Sequence, residues 1–358
     1  MSAGRGTLSL MRPALKPGLV WVWRDRDTLQ IGIDSRRAIA LTGMHAAAAV
    51  IGLLDGSRDR GQVIAAAAER GIQAAAADRV ITLLAAAGTL YDFPASTMAA
   101  VPDDARARLA AELATAALAH GDGDGGARVL VRRQQAAVRV YGTGRVGSCI
   151  ASLLTAAGIG RVASLGPVPD SPAPGQAAGP AVGRQAPGGP ALNAWPPPAA
   201  VPAIPPPRAR SLGGTMPDLA VLVGRPNPEL AAALVQERVP HLAASAGEAI
   251  GVVGPLVIPR QSACLRCLDL ARTDRDPAWP LILAQLAGHE AQPAACDAAL
   301  ATAVAAQAAS QALAFIDRPA VPDAVTNGTL ELVLPSWQWR RRTWPPHRDC
   351  SCGCRCLR

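Results

Sequence analysis

The cysteines of this chain constrain its fold more than any other feature, because most of them fall into two distant clusters. A C-x-x-C pair lies at Cys264 and Cys267. Four more cysteines lie near the C-terminus: Cys350, Cys352, Cys354 and Cys356. Two thiolates on one tight turn provide half of a tetrahedral zinc site, and a distant second pair completes it. The two clusters therefore predict a zinc ion that ties the C-terminal segment onto the fold.

The terminal residues that complete the zinc site are not decided by spacing alone. We favour Cys350 and Cys352, because they come first after residues 344–347, a segment that would anchor the C-terminus. Three residues could take their place: Cys354, Cys356 and His347. An alternative interpretation makes the C-x-x-C pair a thioredoxin-like redox pair, but no strand-to-helix pattern precedes it.

A glycine-rich motif occupies residues 142–147 (GTGRVG), between a predicted strand and a predicted helix. This is the context of a dinucleotide-type loop. In such a loop Gly142 permits a tight turn, Gly144 lets a phosphate approach the backbone, and Gly147 lets helix and strand pack closely. The predicted cofactor-binding residues are Gly142, Gly144, Arg145 and Gly147. The alternative, a glycine turn that only the fold requires, stays open at this point.

A nucleotide site of this type also needs an acidic residue at the end of the second strand, where it holds the ribose. That place is occupied by residues 164–167 (SLGP), and the first acid afterwards is Asp170, inside a proline-rich stretch. The carboxylate is therefore missing from its expected position. Binding of ATP or NAD cannot be assumed from the glycine motif.

Strand and helix patterns alternate after residue 128, which is typical of an α/β fold with a mostly parallel sheet and helices on both faces. We predict a Rossmann-like domain of this kind at residues 128–345, with a proline- and glycine-rich insertion at 167–216. Short strands followed by three helical patterns predict a winged-helix-like α+β module at residues 1–95. The remaining parts are a helix and glycine-rich linker at 96–127 and a cysteine-rich zinc-binding tail at 346–358.

Composition and charge exclude several classes of protein. The net charge of +8 is carried almost entirely by arginine, without the aromatic-interleaved basic motif that would favour nucleic acid, so an acidic peptide partner fits as well. No secretory signal is visible, and the uncharged stretch 298–316 is mostly alanine, which predicts a buried helix and no membrane partner. We therefore expect a cytoplasmic protein. Cys149 and Cys296 lie in apolar helical patterns and are predicted to be buried small side chains.

Several segments resemble the ThiF/MoeB/HesA family of ubiquitin-activating-enzyme-like proteins. Residues 142–160 (GTGRVGSCIASLLTAAGIG) look like the family's glycine loop, helix and approach to the second strand. Residues 240–267 resemble a later stretch with "VVGPLVIP" and "CLRC", and the two cysteine clusters match the family's zinc half-sites. Residues 264–286 further resemble bacterial members associated with the biosynthesis of modified (thiazole or oxazole) peptides.

In active members of that family, an ATP-dependent enzyme adenylates a C-terminal carboxylate on a small carrier protein. The resemblance thus implies an acidic ribose ligand, cationic groups near the phosphates and a metal-binding acid. This sequence departs from that pattern at Leu165 and Gly166, and Lys16 is its only lysine. Arginine replaces a point-charge lysine poorly at a polyphosphate. We therefore expect that adenylation is lost and that ATP and magnesium are doubtful cofactors; no catalytic residue is predicted.

The N-terminal module resembles the leader-peptide-recognition element of such pathways. A bound peptide would add a strand to the edge of the short sheet, at residues 18–23 or 29–33, and place side chains against the third helix. The peptide-binding residues predicted on these strands are Val20, Val22, Leu29, Ile31 and Ile33. The alternative is that the module only supports the larger domain.

Three functions follow from these observations. The first is a protein that binds a precursor peptide by its leader and presents it to a YcaO-type cyclodehydratase. The second is an active adenylyltransferase of the ThiF/MoeB type, acting on a carrier-protein or peptide C-terminus. The third and weakest is an NAD-dependent oxidoreductase. A homodimer is a further expectation, because family members are often dimers.

Overall fold

The computed structural model describes residues 12–36, 38–45, 47–92, 101, 103–120, 123–142, 144–166, 216–225, 227–287, 295–317 and 324–354. The chain forms two compact units, Met1–Gln135 and Ala136–Arg358. The predicted proline-rich insertion lies outside the described residues, except for Met216.

The first unit contains two small antiparallel sheets. One pairs β1 (Pro13–Leu15) with β5 (Leu90–Asp92). The other has the order β2-β3-β4 and is formed by β2 (Trp21–Trp23), β3 (Leu29–Ile31) and β4 (Ile39–Leu41). Asp25 stabilises the turn between β2 and β3, because its Oδ1 accepts hydrogen bonds from the backbone N–H groups of Asp27 and Thr28.

The helices described in this unit are α1 (Ala47–Ile51), α2 (Arg60–Glu69), α3 (Ala74–Ala86), α4 (Asp103–Arg108), α5 (Ala110–His120) and α6 (Ala127–Gln135). A capping box begins α2: the Asp59 side chain accepts from Gln62 N–H, and the Gln62 side chain accepts from Asp59 N–H. The helical spacing of Val80, Ile81 and Leu84 buries all three on one face of α3, in the core of the unit.

The glycine-rich end of the linker predicted at 96–127 forms a turn whose residues Asp124 to Gly126 are buried. Asp124 is buried, and its carboxylate accepts hydrogen bonds from the backbone N–H groups of Gly126 and Arg128 at the start of α6. Gly126 has φ +84°, and a Cβ there would lie 2.7 Å from the carbonyl oxygen of Leu113. The glycine therefore serves close packing of α6 against α5.

The second unit is built on a seven-stranded sheet of order β12-β11-β10-β9-β8-β6-β7. Its strands are β6 (Ala137–Tyr141), β7 (Arg161–Leu165), β8 (Leu219–Val223), β9 (His241–Gly247), β10 (Ile250–Val257), β11 (Gly328–Val333) and β12 (Gln338–Thr343). The strands β6, β7, β8 and β9 are parallel, as the alternating pattern predicts. The other three extend the sheet with antiparallel pairings, and the β11–β12 hairpin is not among the elements predicted from the sequence.

The strand β10, Ile250–Val257, has an irregularity between Val253 and Leu256. Gly254 has φ +103°, and a Cβ there would lie 2.6 Å from the carbonyl oxygen of Gly328 on the neighbouring strand. The glycine thus lets the chain bend while both halves stay paired with β9.

The helices described in the second unit are α7 (Gly144–Ala156), α8 (Pro228–Gln236), α9 (Leu265–Thr273), α10 (Trp279–Ala287) and α11 (Ala298–Asp317). Among the described residues, α11 is the one helix long and apolar enough to cross a membrane. One face of α11 packs in the main core of the unit, where Leu300, Val304 and Ala308 are fully buried beside Val253 and Leu332. This is the core position that the sequence predicts for it.

The direction of the strands separates the two predicted sites. The glycine motif follows the carboxyl end of β6, and Gly224 follows the carboxyl end of the neighbouring β8. The C-x-x-C pair follows β10, whose last residue, Val257, pairs with His241 at the amino end of β9. The glycine motif therefore lies at the carboxyl ends of the parallel strands, and the C-x-x-C pair lies at their amino ends.

Candidate functional site

A cluster of cysteine thiols lies at the amino ends of the parallel strands and includes residues of the C-terminal segment. Cys264 immediately precedes α9 and Cys267 lies in its first turn, so both side chains project from one helix start. The Sγ atom of Cys264 is 3.8 Å from that of Cys267 and 3.6 Å from that of Cys350. The Sγ atom of Cys352 is 3.7 Å from that of Cys267. The structure thus brings together the four cysteines favoured as ligands.

The geometry of these four thiols fits a tetrahedral metal ion. All four Sγ atoms lie within 4.8 Å of one another. A tetrahedral zinc ion with Zn–S bonds of about 2.3 Å separates its ligand sulfurs by about 3.8 Å. The Sγ–Sγ distances of 3.6 to 3.8 Å agree with that value, so these residues could hold a metal ion, and four thiolates suit zinc.

The alternative ligands occupy different positions. The Sγ atom of Cys354 lies 3.8 Å from that of Cys267 and 2.8 Å from that of Cys352, so it is a fifth thiol outside the tetrahedral set. His347 is not turned to the thiols, because its Nε2 lies 2.9 Å from Asp274 Oδ2. Cys356 lies outside the described residues.

The thiols influence each other's protonation. A hydrogen bond from the Cys264 thiol lowers the pKa of Cys267 to about 4, and the same hydrogen bond raises the pKa of Cys264. Burial raises the pKa of Cys350 to about 11 and also raises the pKa of Cys354. Most of the cluster therefore holds its protons at neutral pH, and a bound cation must displace them.

The C-terminal segment reaches the cluster because an indole anchors it. Trp344 is buried, its Nε1–H donates to Thr329 Oγ1 at 2.9 Å, and it packs with Val257, Ala263 and Leu268 beside the cysteines. The predicted anchoring role of residues 344–347 thus has a physical basis in this contact.

The glycine loop has the close contacts that its motif predicts. A Cβ at Gly142 would lie 2.6 Å from the Val223 carbonyl oxygen, and a Cβ at Gly147 would lie 2.5 Å from the Gly142 carbonyl oxygen. Gly144 has φ +84°, and among the described residues outside its own turn no atom lies within 4 Å of the place of its Cβ. Gly142 and Gly147 are therefore required by packing, whereas Gly144 leaves open space at the start of α7.

Two arginines lie beside this loop, and both are engaged by backbone carbonyls. Arg145, one of the predicted cofactor-binding residues, places Nη1 3.4 Å from the Cys296 carbonyl oxygen. Arg225 follows β8, and its Nη1 donates to the Leu286 carbonyl oxygen at 2.7 Å. The end of β7, Ser164 to Gly166, carries no acid, and Asp170 lies outside the described residues. The structure thus supplies no ribose ligand at this edge in the part that it describes.

The predicted peptide-binding residues of the first unit divide into two groups. Leu29 and Ile31 are 0% and 1% exposed, and their strand β3 pairs with β2 on one side and β4 on the other. Their assignment as edge residues is therefore wrong, because a central strand has no free backbone groups to offer. Val20, Val22 and Ile33 are 49%, 43% and 73% exposed.

The free edge of β2 has unpaired backbone groups that sequence reasoning did not single out. The backbone bonds from Gly32 N to Val20 O and from Arg24 N to Thr28 O show that alternate residues of this strand face β3. The N–H and C=O groups of Trp21 and Trp23 consequently point away from β3, at an edge that no other strand of the described sheet covers. Only the pairing partners of the strand reveal this orientation.

Two buried polar atoms, Tyr141 Oη and His241 Nε2, have no hydrogen-bond partner among the described residues. His241 is fully buried, its Nδ1 lies 3.0 Å from the Val239 carbonyl oxygen, and burial lowers its pKa. This ring is neutral at neutral pH, because burial disfavours the charged form.

No family model and no curated protein matches the chain. Solved structures do match it. A heterocyclase in complex with substrate and cofactor has a TM-score of 0.62 at 13% identity, covering 96% of this chain and 39% of that chain. The heterocyclase TruD has a TM-score of 0.61 at 15% identity, covering 96% and 42%. Escherichia coli MccB with ATP has a TM-score of 0.57 at 12% identity, covering 96% and 99%.

At these identities the likeness concerns the fold alone. The chain spans about two fifths of the length of the two heterocyclases and nearly all of MccB. These neighbours agree with the ThiF/MoeB/HesA resemblance at the level of the fold.

Proposed function

We propose that this chain binds the leader segment of a ribosomally made precursor peptide and presents the peptide to a YcaO-type cyclodehydratase. The observation that carries the proposal is the free edge of β2, with the outward backbone groups of Trp21 and Trp23 and the exposed side chains of Val20 and Val22. An extended peptide can pair with such an edge through its main chain, while apolar side chains next to the edge supply specificity.

The other edge strand of this sheet, β4, offers fewer outward backbone groups. By the alternation of the ladder only Ala40 within that strand turns its N–H and C=O outward. The β4 edge does end beside α3, since a Cβ on Gly43 would lie 3.1 Å from the Arg79 guanidinium. A peptide held between β4 and α3 is therefore the alternative placement. Binding measurements on variants of each edge strand distinguish the two placements.

The known structures support a role in peptide modification. One neighbour is a heterocyclase with its substrate, and MccB has been solved with MccA. The heterocyclases are longer than this chain. In our proposal a YcaO-type partner enzyme supplies the cyclodehydration chemistry.

The test measures binding of a fluorescently labelled precursor peptide to three variants by anisotropy. Trp23→Pro removes an outward N–H and the indole, Trp23→Ala removes the indole alone, and Ala40→Pro removes the outward N–H of β4. Proline is tolerated where an edge N–H faces away from its sheet. A main-chain hydrogen bond is worth about 1 kcal/mol, so we expect Trp23→Pro to bind roughly fivefold more weakly than Trp23→Ala.

If only Ala40→Pro weakened binding, the peptide would bind at the β4 edge instead of the β2 edge. Wild-type affinity in all three variants would refute strand addition. Circular dichroism of each variant checks that the sheet is intact.

An adenylyltransferase is the second candidate, and the intact packing of the glycine loop favours it, together with the likeness to MccB solved with ATP. The absence of an acid at residues 161–166 and of any lysine but Lys16 opposes it. Calorimetry with ATP and magnesium on zinc-loaded protein decides between the two. Micromolar binding, with pyrophosphate release when a peptide carboxylate is present as the acceptor, would establish adenylation, and no heat would support a site without nucleotide.

A further inference from the structure

The fifth thiol of the cysteine cluster is placed against a thiol of the tetrahedral set. The Sγ atoms of Cys352 and Cys354 are 2.8 Å apart, which is about 1 Å less than two sulfurs bound to one tetrahedral ion. Gly353 between them has φ +74°, a conformation that brings both side chains to the same side of the chain. Both cysteines therefore cannot bind the same ion in this arrangement, and a disulfide needs only a short further approach to about 2.05 Å.

The C-x-x-C half and the C-terminal half of the cysteine cluster differ in solvent accessibility. Cys264 and Cys267 are buried, whereas Cys350, Cys352 and Cys354 are half-exposed. A small oxidant in solution therefore reaches the C-terminal thiols first.

We propose that Cys352 and Cys354 form a redox-active dithiol, which a hydroperoxide converts into a disulfide that withdraws Cys352 from the metal site. In the first step the Cys352 sulfur attacks one peroxide oxygen, the O–O bond breaks, and the sulfur becomes a sulfenic acid. The second oxygen leaves as hydroxide and takes a proton from solvent. In the second step the Cys354 thiol attacks the sulfenic sulfur, the S–O bond breaks, and the hydroxyl leaves as water with the proton of Cys354. Two thiols are oxidised, and hydrogen peroxide is reduced to two waters.

Oxidation changes the metal site because it leaves three thiolates instead of four: Cys264, Cys267 and Cys350. A structural zinc site is closed by four ligands, and loss of one weakens metal retention. The disulfide thus couples the oxidation state of the C-terminal segment to the metal that holds this segment against α9.

The experiment treats zinc-loaded full-length protein with hydrogen peroxide and follows zinc release with a chromophoric chelator. In parallel, alkylation, trypsin digestion and mass spectrometry examine the peptide Asp349–Arg355, which contains Cys350, Cys352 and Cys354. We expect release of one zinc per chain, in step with a disulfide between Cys352 and Cys354, and recovery of both after reduction by dithiothreitol.

Two variants sharpen this test. Cys354→Ser keeps the four tetrahedral ligands but lacks the second thiol, so zinc release should be at least about tenfold slower than in the wild type, because a neighbouring thiol has a high effective concentration. Cys149→Ser, in α7 and away from the cluster, should release zinc at the wild-type rate. Equal release by Cys354→Ser, or a wild-type disulfide that joins Cys350 to another cysteine, would overturn the proposal. The wild-type disulfide assignment decides the matter even if Cys354→Ser does not fold.

Discussion

Substitution of Gly147 by alanine measures how much the close packing of the glycine loop contributes to the free energy of unfolding. Gly147 lies in the first turn of α7, and a Cβ there would lie 2.5 Å from the Gly142 carbonyl oxygen, below the 3.0 Å that real Cβ contacts respect. The helix must therefore move away from β6 by at least about 0.5 Å. The buried side chains of Ile150 and Leu154 on the same helix interlock with the main core, so the movement disturbs packing beyond the loop.

The expected loss follows from two opposing effects. Overpacking costs about 1–3 kcal/mol, and alanine in place of glycine in a helix returns up to about 1 kcal/mol. We expect a net destabilisation of about 1–2 kcal/mol, which lowers Tm by about 2–8 °C for a unit of this size. Urea and thermal unfolding of zinc-loaded protein, followed by circular dichroism, measure both quantities.

Gly247→Ala is the matched control, because no atom lies within 4 Å of the place of its Cβ and Gly247 has no positive φ. It should leave the stability of the same unit unchanged or slightly higher. If Gly147→Ala were as stable as the wild type, the close approach of α7 to β6 would not explain the glycine, and a ligand would become the better reason for the motif.

Three further outcomes are expected. Tyr141→Phe removes a buried hydroxyl without a partner, so the free energy of unfolding should stay the same or rise by up to about 1 kcal/mol; a loss above 1 kcal/mol would reveal a bound water or partner. Burial lowers the pKa of His241 below 6.5. As the pH falls below 6.5, the unfolded chain therefore takes up a proton at this histidine before the folded chain does. The contribution of the neutral ring to the free energy of unfolding is complete above pH 6.5 and is lost as the pH falls. The urea midpoint should therefore decline below pH 6.5, and His241→Gln should flatten the decline; an unchanged slope would remove His241 as its cause. Removal of zinc by a chelator should lower Tm of the second unit, and by less toward acid pH, because protons compete with the metal for the ligand thiols and burial raises the pKa of Cys350 to about 11. An unchanged Tm with zinc shown to be gone would exclude a stabilising metal.

The local chemistry of the two motifs was predictable from the sequence. Gly142 and Gly147 have the close contacts that a glycine loop requires, and the C-x-x-C pair lies on one helix turn. Both patterns involve residues a few positions apart, so the covalent chain itself sets their distances. The parallel order of β6 to β9 likewise follows from alternating strands and helices.

The selection among the terminal cysteines needed coordinates. Four of them are close in sequence, and spacing cannot tell which sulfurs turn toward Cys264 and Cys267. Among the described residues, the Sγ atoms of Cys350 and Cys352 lie within 4.8 Å of those of Cys264 and Cys267, and Cys354 lies beside Cys352. The side chain of His347 faces Asp274 instead, a contact between residues 73 positions apart.

The sequence by itself determined which residues can bind metal, turn tightly or lie in strands, because these properties depend on side-chain type and on neighbours along the chain. Only the tertiary structure decided which strand is an edge. The apolar patterns of β2 and β3 look alike, yet β3 is enclosed by β2 and β4 and buries Leu29 and Ile31, whereas β2 leaves Trp21 and Trp23 with outward backbone groups. Pairing between strands is a contact between distant parts of the chain, so the accessibility of a strand is a property of the assembled sheet.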